Sequence, residues 1–202
     1  EEYLGRPFPD KSSDAYLLLK FDGSSLQEIE GAYDSVAKVC LEHGALDLFI
    51  ADTEERSTPI WKSRGAFLEA IKGSTTEMDE VDVVVPRSHV NEFVEYVHGL
   101  QKELNIRIKS FGHAGDGNLH VYILRDDMDD KKWKEMLNKA MELMYAHAKE
   151  LDGQVSGEHG IGLAKHPYLK DSLDPEAIAL MNRIKKAFDP KNILNPHKVC
   201  QD

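Results

Sequence analysis

The sequence predicts an α+β fold. A mainly antiparallel sheet carries helices packed on it, built from ferredoxin-like elements and followed by a C-terminal helical tail. Two observations predict this. Short apolar runs of strand length alternate with longer segments whose apolar residues recur every three or four positions. Two of the runs are neighbours joined by a glycine-rich stretch, the pattern of a hairpin. There is no internal repeat, low-complexity segment or clear linker.

The elements follow in order. Residues 1–14 hold Gly, Pro, Ser and mixed charge and read as a lead-in. Tyr16 to Asp22 is a short, mostly apolar run closed by Asp22-Gly23, the mark of a buried strand. Ser25 and Glu28 form a capping box for a helix bearing Leu26, Ile29, Tyr33, Val36, Cys40 and Leu41 on one side, stopped by Gly44. Leu46 to Ala51 reads as a second strand. Thr58-Pro59 reads as a helix start with Pro in first position. Ile60, Trp61, Arg64, Phe67, Leu68 and Ile71 line that helix, and Gly73 ends it. Val81 to Val85 is the third strand, closed by Pro86. Ser88 caps the next helix, which buries Val90, Phe93, Val94, Val97, Leu100 and Leu104.

Ile106 to Phe111 and Leu119 to Leu124 are the two hairpin strands. A long helix from Asp130 to Leu151 carries a stripe of Trp133, Met136, Leu137, Ala140, Met141, Met144 and Ala148. Gln154-Val155 reads as a short strand. Asp174-Pro175 opens a last helix through Phe188, and Asp189-Pro190 opens a final turn. The main domain is expected over 15–170 and the helical tail over 171–202.

Composition narrows the function. The chain of 202 residues is long enough for a core, and 41% hydrophobic with 30% charged residues is an ordinary globular mix. The net charge is −11, from 36 acids against 25 bases, with no basic block, so nucleic acid and anionic membrane are poor partners. No apolar run reaches the roughly 18–20 residues of a membrane span, and no signal peptide is visible. Cys40 and Cys200 form no C-x-x-C pair, which points to a reduced, cytoplasmic protein and against a cysteine zinc site. The first residue is Glu1 rather than Met, from which an upstream segment is expected.

The chemistry concentrates in two stretches. Gly112-His113-Ala114-Gly115-Asp116-Gly117-Asn118-Leu119-His120 is one, and Ser156-Gly157-Glu158-His159-Gly160-Ile161-Gly162 is the other. His113 and His120 flank a turn in which the glycines disfavour helix, so they can converge from two strands. Glu158 can complete the set. Two imidazoles and a carboxylate suit a divalent metal with open positions, and zinc, manganese and iron all fit. His159 would stand beside the metal as a general base.

Taken singly these residues say less. A histidine in a hairpin is usually solvated or packed, and Gly-Asp-Gly-Asn is ordinary turn chemistry. Neither a phosphate-loop nor a dinucleotide fingerprint is present. Arg64 can grip a carboxylate with two prongs, although on the residues alone a helix-surface ion pair describes it better. Lys165 reads as a solvated charge. His43, His89, His98, His147 and His166 read as surface or packing residues.

The two stretches, with Phe188-Asp189-Pro190-Lys191-Asn192-Ile193-Leu194-Asn195-Pro196, Trp61-x-x-Arg64 and Asp82-Val83-Val84-Val85-Pro86 in the same order, resemble the C-terminal half of FAD-linked oxidases. These are the group of D-lactate dehydrogenase, D-2-hydroxyglutarate dehydrogenase and the flavin-linked chain of glycolate oxidase, in the vanillyl-alcohol oxidase superfamily. The resemblance covers about residues 16–199.

It implies a substrate or cap domain over 15–170 and a tail over 171–202 that packs on an FAD domain absent from this sequence. It also implies that His113, His120 and Glu158 hold a metal, that His159 takes the substrate hydroxyl proton, that Arg64 binds the substrate carboxylate and that Asn195 lies near the flavin. The expected reaction oxidises a D-2-hydroxy acid to the 2-oxo acid with hydride transfer to FAD. An electron-transfer flavoprotein or iron–sulfur subunit is an expected acceptor, and a homodimer an open expectation. The isolated chain is expected to be inactive.

Two departures stand out. Hydroxyglutarate-specific members carry a Lys a few residues before the Asp-Val-Val-Val-Pro strand, where this chain has Met78-Asp79-Glu80, which favours lactate or glycolate. Many members carry Gly after Leu-Asn-Pro, where this chain has His197. The alternatives are a stand-alone metal-dependent hydrolase using the same ligands, and a non-catalytic small-molecule binding module.

Overall fold

The computed structural model describes residues 13 and 15–198. Nearly all of the lead-in, and Cys200, lie outside them; Cys40 is a free thiol. The chain forms two compact units, 1–70 and 71–202.

In the first unit, α1 (Leu26–Glu42) begins where the capping box predicts. Ser25 Oγ accepts from the Glu28 amide at 3.2 Å, while the Glu28 carboxylate accepts from the Ser24 amide at 3.0 Å, one residue earlier than the ideal box. Gly44, at φ 89°, follows its C-terminus. Helix α2 (Glu54–Gly65) starts at Thr53 rather than at Thr58-Pro59. Thr53 Oγ1 accepts from the Arg56 amide, and Glu54 and Glu55 complement the helix dipole in the first turn. This stronger start wins and leaves Pro59 inside the helix. The helical run then breaks at Ala66, before α3 (Phe67–Lys72).

The strands expected at Tyr16 to Asp22 and Leu46 to Ala51 do not form, and both segments are irregular and largely exposed. A strand is made by its ladder, and these apolar runs find no paired neighbour among the described residues.

The second unit holds the sheet. Strands β1 (Met78–Val84), β2 (Arg107–His113) and β3 (Asn118–Leu124) lie in the order β1-β3-β2, all antiparallel. Between β1 and β2 run a 3-10 turn (Arg87–His89) and α4 (Val90–Leu104). Ser88 is inside that turn, and His89 holds the helix N-cap without a side-chain bond, which corrects the expected Ser88 cap. Helix α5 (Asp130–Glu150) is capped by Asp129, which accepts from the Lys131 and Lys132 amides at 3.0 and 2.9 Å.

Helix α6 (His166–Ser172) is too short to show a period in the sequence; α7 (Pro175–Phe188) begins at Asp174-Pro175 as expected. Gln154 adds a single antiparallel bridge to Val84, so a rung replaces the expected short strand.

The strand period of two sorts side chains between faces. Val81 and Val83 of β1, Ile108 of β2, and Leu119, Val121 and Ile123 of β3 join Phe93, Val97 and Leu100 of α4 and Trp133, Ala140 and Met144 of α5 in the core. The opposite face carries the functional residues.

Candidate active site

The register of the sheet builds the site. Asp82 pairs with His120, which pairs with Phe111 on its other side. One row away, Glu80 pairs with Tyr122, and His113 faces Asn118 at the hairpin end. Directly opposed residues share a face, so these side chains project together from the side opposite the apolar core. The polar alternation on β1, Glu80-Val81-Asp82-Val83, is the local cause.

Two glycines allow the parts to meet. Gly117 has φ 75° in the turn, and a Cβ there would stand 2.0 Å from the Val85 carbonyl oxygen. Gly157 lies so close to the hairpin that a Cβ would meet Asn118 Oδ1 at 2.0 Å. The second glycine stretch therefore passes directly over the end of β3.

Among the described residues two ligand-like groups result, in each of which the donor atoms all lie within 4.8 Å of one another: His113, His120 and Glu158, and Glu80, His120 and His159. Glu158 Oε1 is 3.3 Å from His120 Nε2, 3.9 Å from His113 Nε2 and 3.7 Å from His159 Nε2. His120 is buried, while His113, Glu158 and His159 are exposed. The rings of His120 and His159 stack at 4.9 Å, and Phe111 lies 5.6 Å from His120. The three residues singled out as metal ligands, and the proposed base beside them, are thus in one place.

Asp82 anchors the second stretch from below. It is completely buried, and its Oδ2 accepts from Ser156 Oγ at 3.0 Å, the His159 amide at 3.1 Å and Lys165 Nζ at 2.9 Å. Burial pushes its pKa up, but Lys165, the His159 amide and Ser156 outweigh that and bring it down to about 2. Lys165 is buried and also donates to the Asp82 carbonyl oxygen at 3.1 Å, so the reading of it as a solvated charge is wrong. A lysine in a loop carries no signal of its partner when that partner lies 83 residues away. Asp82 Oδ1 and Asn118 Oδ1 are buried without a hydrogen-bond partner among the described residues.

Sequence reading gave Glu80 and Tyr122 no place in the cluster. Glu80 Oε1 is 3.0 Å from His120 Nδ1 and accepts from the Tyr122 hydroxyl at 3.0 Å. Acids two residues apart on one short strand, Glu80 and Asp82, were the available signal.

Arg64 belongs to the first unit, half-buried on α2 with its guanidinium 5.8 Å from the Phe67 ring. Asn195 follows α7, exposed, and accepts from Lys198 at 3.3 Å; it is in neither ligand group. Asp189 of the same motif ties its turn, accepting from the Ile193 and Leu194 amides at 3.0 and 2.9 Å and pairing with Lys185. His197 has φ 60°, the left-handed region, which is where glycine would sit without strain.

An α+β fold with a histidine–carboxylate cluster on the face of its sheet opposite the apolar core is the class that fold and site define. The chain belongs to the family of FAD linked oxidases, C-terminal domain, whose model matches residues 1–199.

A D-lactate dehydrogenase of Anaerostipes hadrus is 44% identical over 205 residues, covering 99% of this chain and 43% of that protein. The glycolate oxidase subunit GlcD of Bacillus subtilis is 35% identical, covering 98% of this chain and 42% of that protein. A D-2-hydroxyglutarate dehydrogenase of Stutzerimonas stutzeri is 32% identical, with 91% and 40% covered. The chain therefore spans about two fifths of the length of these relatives.

Proposed function

We propose that this chain is the C-terminal substrate part of a flavin-dependent D-2-hydroxy-acid dehydrogenase of the D-lactate or glycolate type. The reaction oxidises the 2-hydroxy acid to the 2-oxo acid, with metal assistance. The observation that carries this reading is the convergence of His113, His120 and Glu158 beside His159 in a chain of this family.

The residues fit a divalent ion. Two neutral imidazoles and a carboxylate form a borderline set that zinc, manganese or iron accepts. The exposed side of the cluster leaves room for a substrate oxygen, and the buried acceptors Asp82 Oδ1 and Asn118 Oδ1 lie unpaired nearby. His113, His120 and Glu158 would hold the ion, which supplies Lewis-acid polarisation of a substrate hydroxyl. FAD, held in this reading by a further domain, supplies the hydride acceptor.

The chain's own residues do the rest. His159 accepts the hydroxyl proton on an imidazole nitrogen. Its amide is pinned by Asp82, so its backbone is fixed where the second glycine stretch crosses the sheet. Arg64 is assigned the substrate carboxylate, and Asn195 the flavin edge, on the family resemblance. The tail over 171–202 is assigned to dock on the flavin domain, and 15–170 to form the substrate domain, on the same basis. The region Met78-Asp79-Glu80 offers no base where hydroxyglutarate-specific members carry a lysine, which disfavours a second carboxylate and supports a monocarboxylate substrate.

We further infer a cytoplasmic enzyme that passes electrons to an acceptor such as an electron-transfer flavoprotein or iron–sulfur subunit, with a homodimer as one candidate assembly. No helix among the described residues is long and apolar enough to cross a membrane.

Two measurements test this. Metal analysis of purified protein should find about one equivalent per chain, the count for a single three-ligand site, falling sharply in His113→Ala and His120→Ala. Equal metal in wild type and variants removes the ligand assignment. Anaerobic D-lactate or glycolate should bleach the flavin absorbance of the full-length protein, and D-2-hydroxyglutarate should do so far less. Metal-dependent hydrolysis without flavin would instead favour the hydrolase alternative.

A further inference from the structure

Glu80 is the acid of the cluster to which the proposed chemistry gives no part in holding the metal. Its Oε1 stands 3.0 Å from His120 Nδ1 and 3.0 Å from the Tyr122 hydroxyl. A carboxylate only accepts hydrogen bonds, so both neighbours must donate to it. His120 then carries its proton on Nδ1. That leaves the lone pair on Nε2, the nitrogen that lies 3.3 Å from Glu158. A metal ligand needs that lone pair. The opposite tautomer would aim an N–H at Glu158 and close the position.

The ring has little freedom to escape this arrangement. His120 is 4% exposed, with His159 stacked on it at 4.9 Å and Phe111 tilted against it at 5.6 Å. Tyr122 is itself buried and stacked on Phe111 at 5.4 Å. Its hydroxyl therefore holds the Glu80 carboxylate from a fixed point. Cross-strand pairing sets both contacts: Glu80 lies opposite Tyr122, and His120 lies two residues earlier on β3, on the same face.

We propose that Glu80 is a positioning residue that fixes His120 in the Nδ1–H tautomer and so presents Nε2 to a divalent metal, with Tyr122 fixing Glu80 in turn. The inference rests on the metal reading of this site. It separates Glu80 from the ligands: the oxygen that faces His120 is already committed to two donors. Partners that orient a ligand histidine in this way typically contribute 10–100-fold to metal affinity.

The test uses the full-length protein with 15N-labelled histidine, metal-free, and then Zn²⁺ as the probe. Two-bond proton–nitrogen correlations should show His120 protonated at Nδ1 in the wild type. Glu80→Ala should lose that single tautomer and bind Zn²⁺ about 10–100-fold more weakly. Glu80→Gln, whose amide oxygen still accepts from Nδ1–H, should keep the tautomer and recover part of the affinity. Tyr122→Phe should leave His120 in a mixture of tautomers. A mainly structural role would not be rescued by Gln in this selective way.

A wild-type His120 protonated at Nε2 overturns the inference, whatever the metal does. So does unchanged Zn²⁺ affinity in Glu80→Ala. Zn²⁺ binding that survives His113→Ala but disappears in Glu80→Ala makes Glu80 a ligand and overturns it too. A wild type with the Nδ1–H tautomer that binds no Zn²⁺ overturns the metal reading, and with it the ligand-presenting role of Glu80.

Discussion

Asp82 is a buried carboxylate held below the usual range by Lys165, the His159 amide and Ser156. Its folded pKa is about 2 against an ordinary 3.8. A depressed carboxylate stabilises the fold above its unfolded pKa and loses that contribution as pH falls through the folded value. The drop corresponds to about 2 kcal/mol. Denaturant unfolding of the metal-free protein should therefore lose about 2 kcal/mol between pH 4 and pH 2 from this residue, and Asp82→Asn should lack that component. A wild type and variant with parallel pH profiles would sink the assignment.

His197 offers a second residue-scale prediction. It is held at φ 60°, so His197→Gly should gain about 1 kcal/mol despite glycine's unfolded-state entropy. A thermal shift of either sign reads the balance directly, and a clear loss would show that the side chain's contacts outweigh the strain. The convergence of His113, His120 and Glu158 was legible from the pairing of two glycine-rich stretches, which neither stretch signals alone. Lys165, Glu80 and Tyr122 were not, because a single charge or hydroxyl in a sequence does not announce a partner on another strand.

At the scale of elements, Asp82 of β1 holds the segment after α5 through Ser156 Oγ, the His159 amide and, just beyond the second glycine stretch, a buried ion pair with Lys165. Removing one member of such a pair leaves a desolvated charge and typically costs about 3–5 kcal/mol. Lys165→Met should thus destabilise strongly, more than removal of any exposed lysine such as Lys38, whose bridge to Glu42 spans 3.8 Å on the surface of α1. Chemical denaturation compares them; similar small losses would show that Ser156 and the backbone amides suffice to hold Asp82.

The hairpin, α4, α5 and α7 were readable from their apolar period, and at α4 that period held even though the cap fell at His89 rather than Ser88. The start of α2 was misjudged since Thr53 with Glu54 and Glu55 outcompetes Thr58-Pro59. The runs at Tyr16 and Leu46 had strand composition but no ladder. Hydrophobicity marks a segment that wants cover, whereas strand geometry requires a neighbour to bond.

The whole molecule divides its stability unevenly. Every residue of β3 is buried, and the sheet with α4 and α5 supplies most of the buried apolar side chains. Helices α1, α2 and α3 contain no buried residue, and Leu17, Leu26, Leu46 and Phe49 of the first unit are more than 60% exposed. Local opening free energy follows buried contacts. Amides of Val121 and Ile123 should therefore exchange only through global unfolding, while those of α1 exchange through much cheaper local opening.

Hydrogen exchange with mass spectrometry on the chain measures this gradient. Uniform protection across residues 15–198 would contradict it. The same measurement on the longer protein bears on the proposed enzyme. If the exposed apolar side chains of the first unit are covered there, protection of α1 and of residues 46–51 should rise while that of β3 stays unchanged. A first unit equally unprotected in both would mean that its apolar surface is left for another occupant.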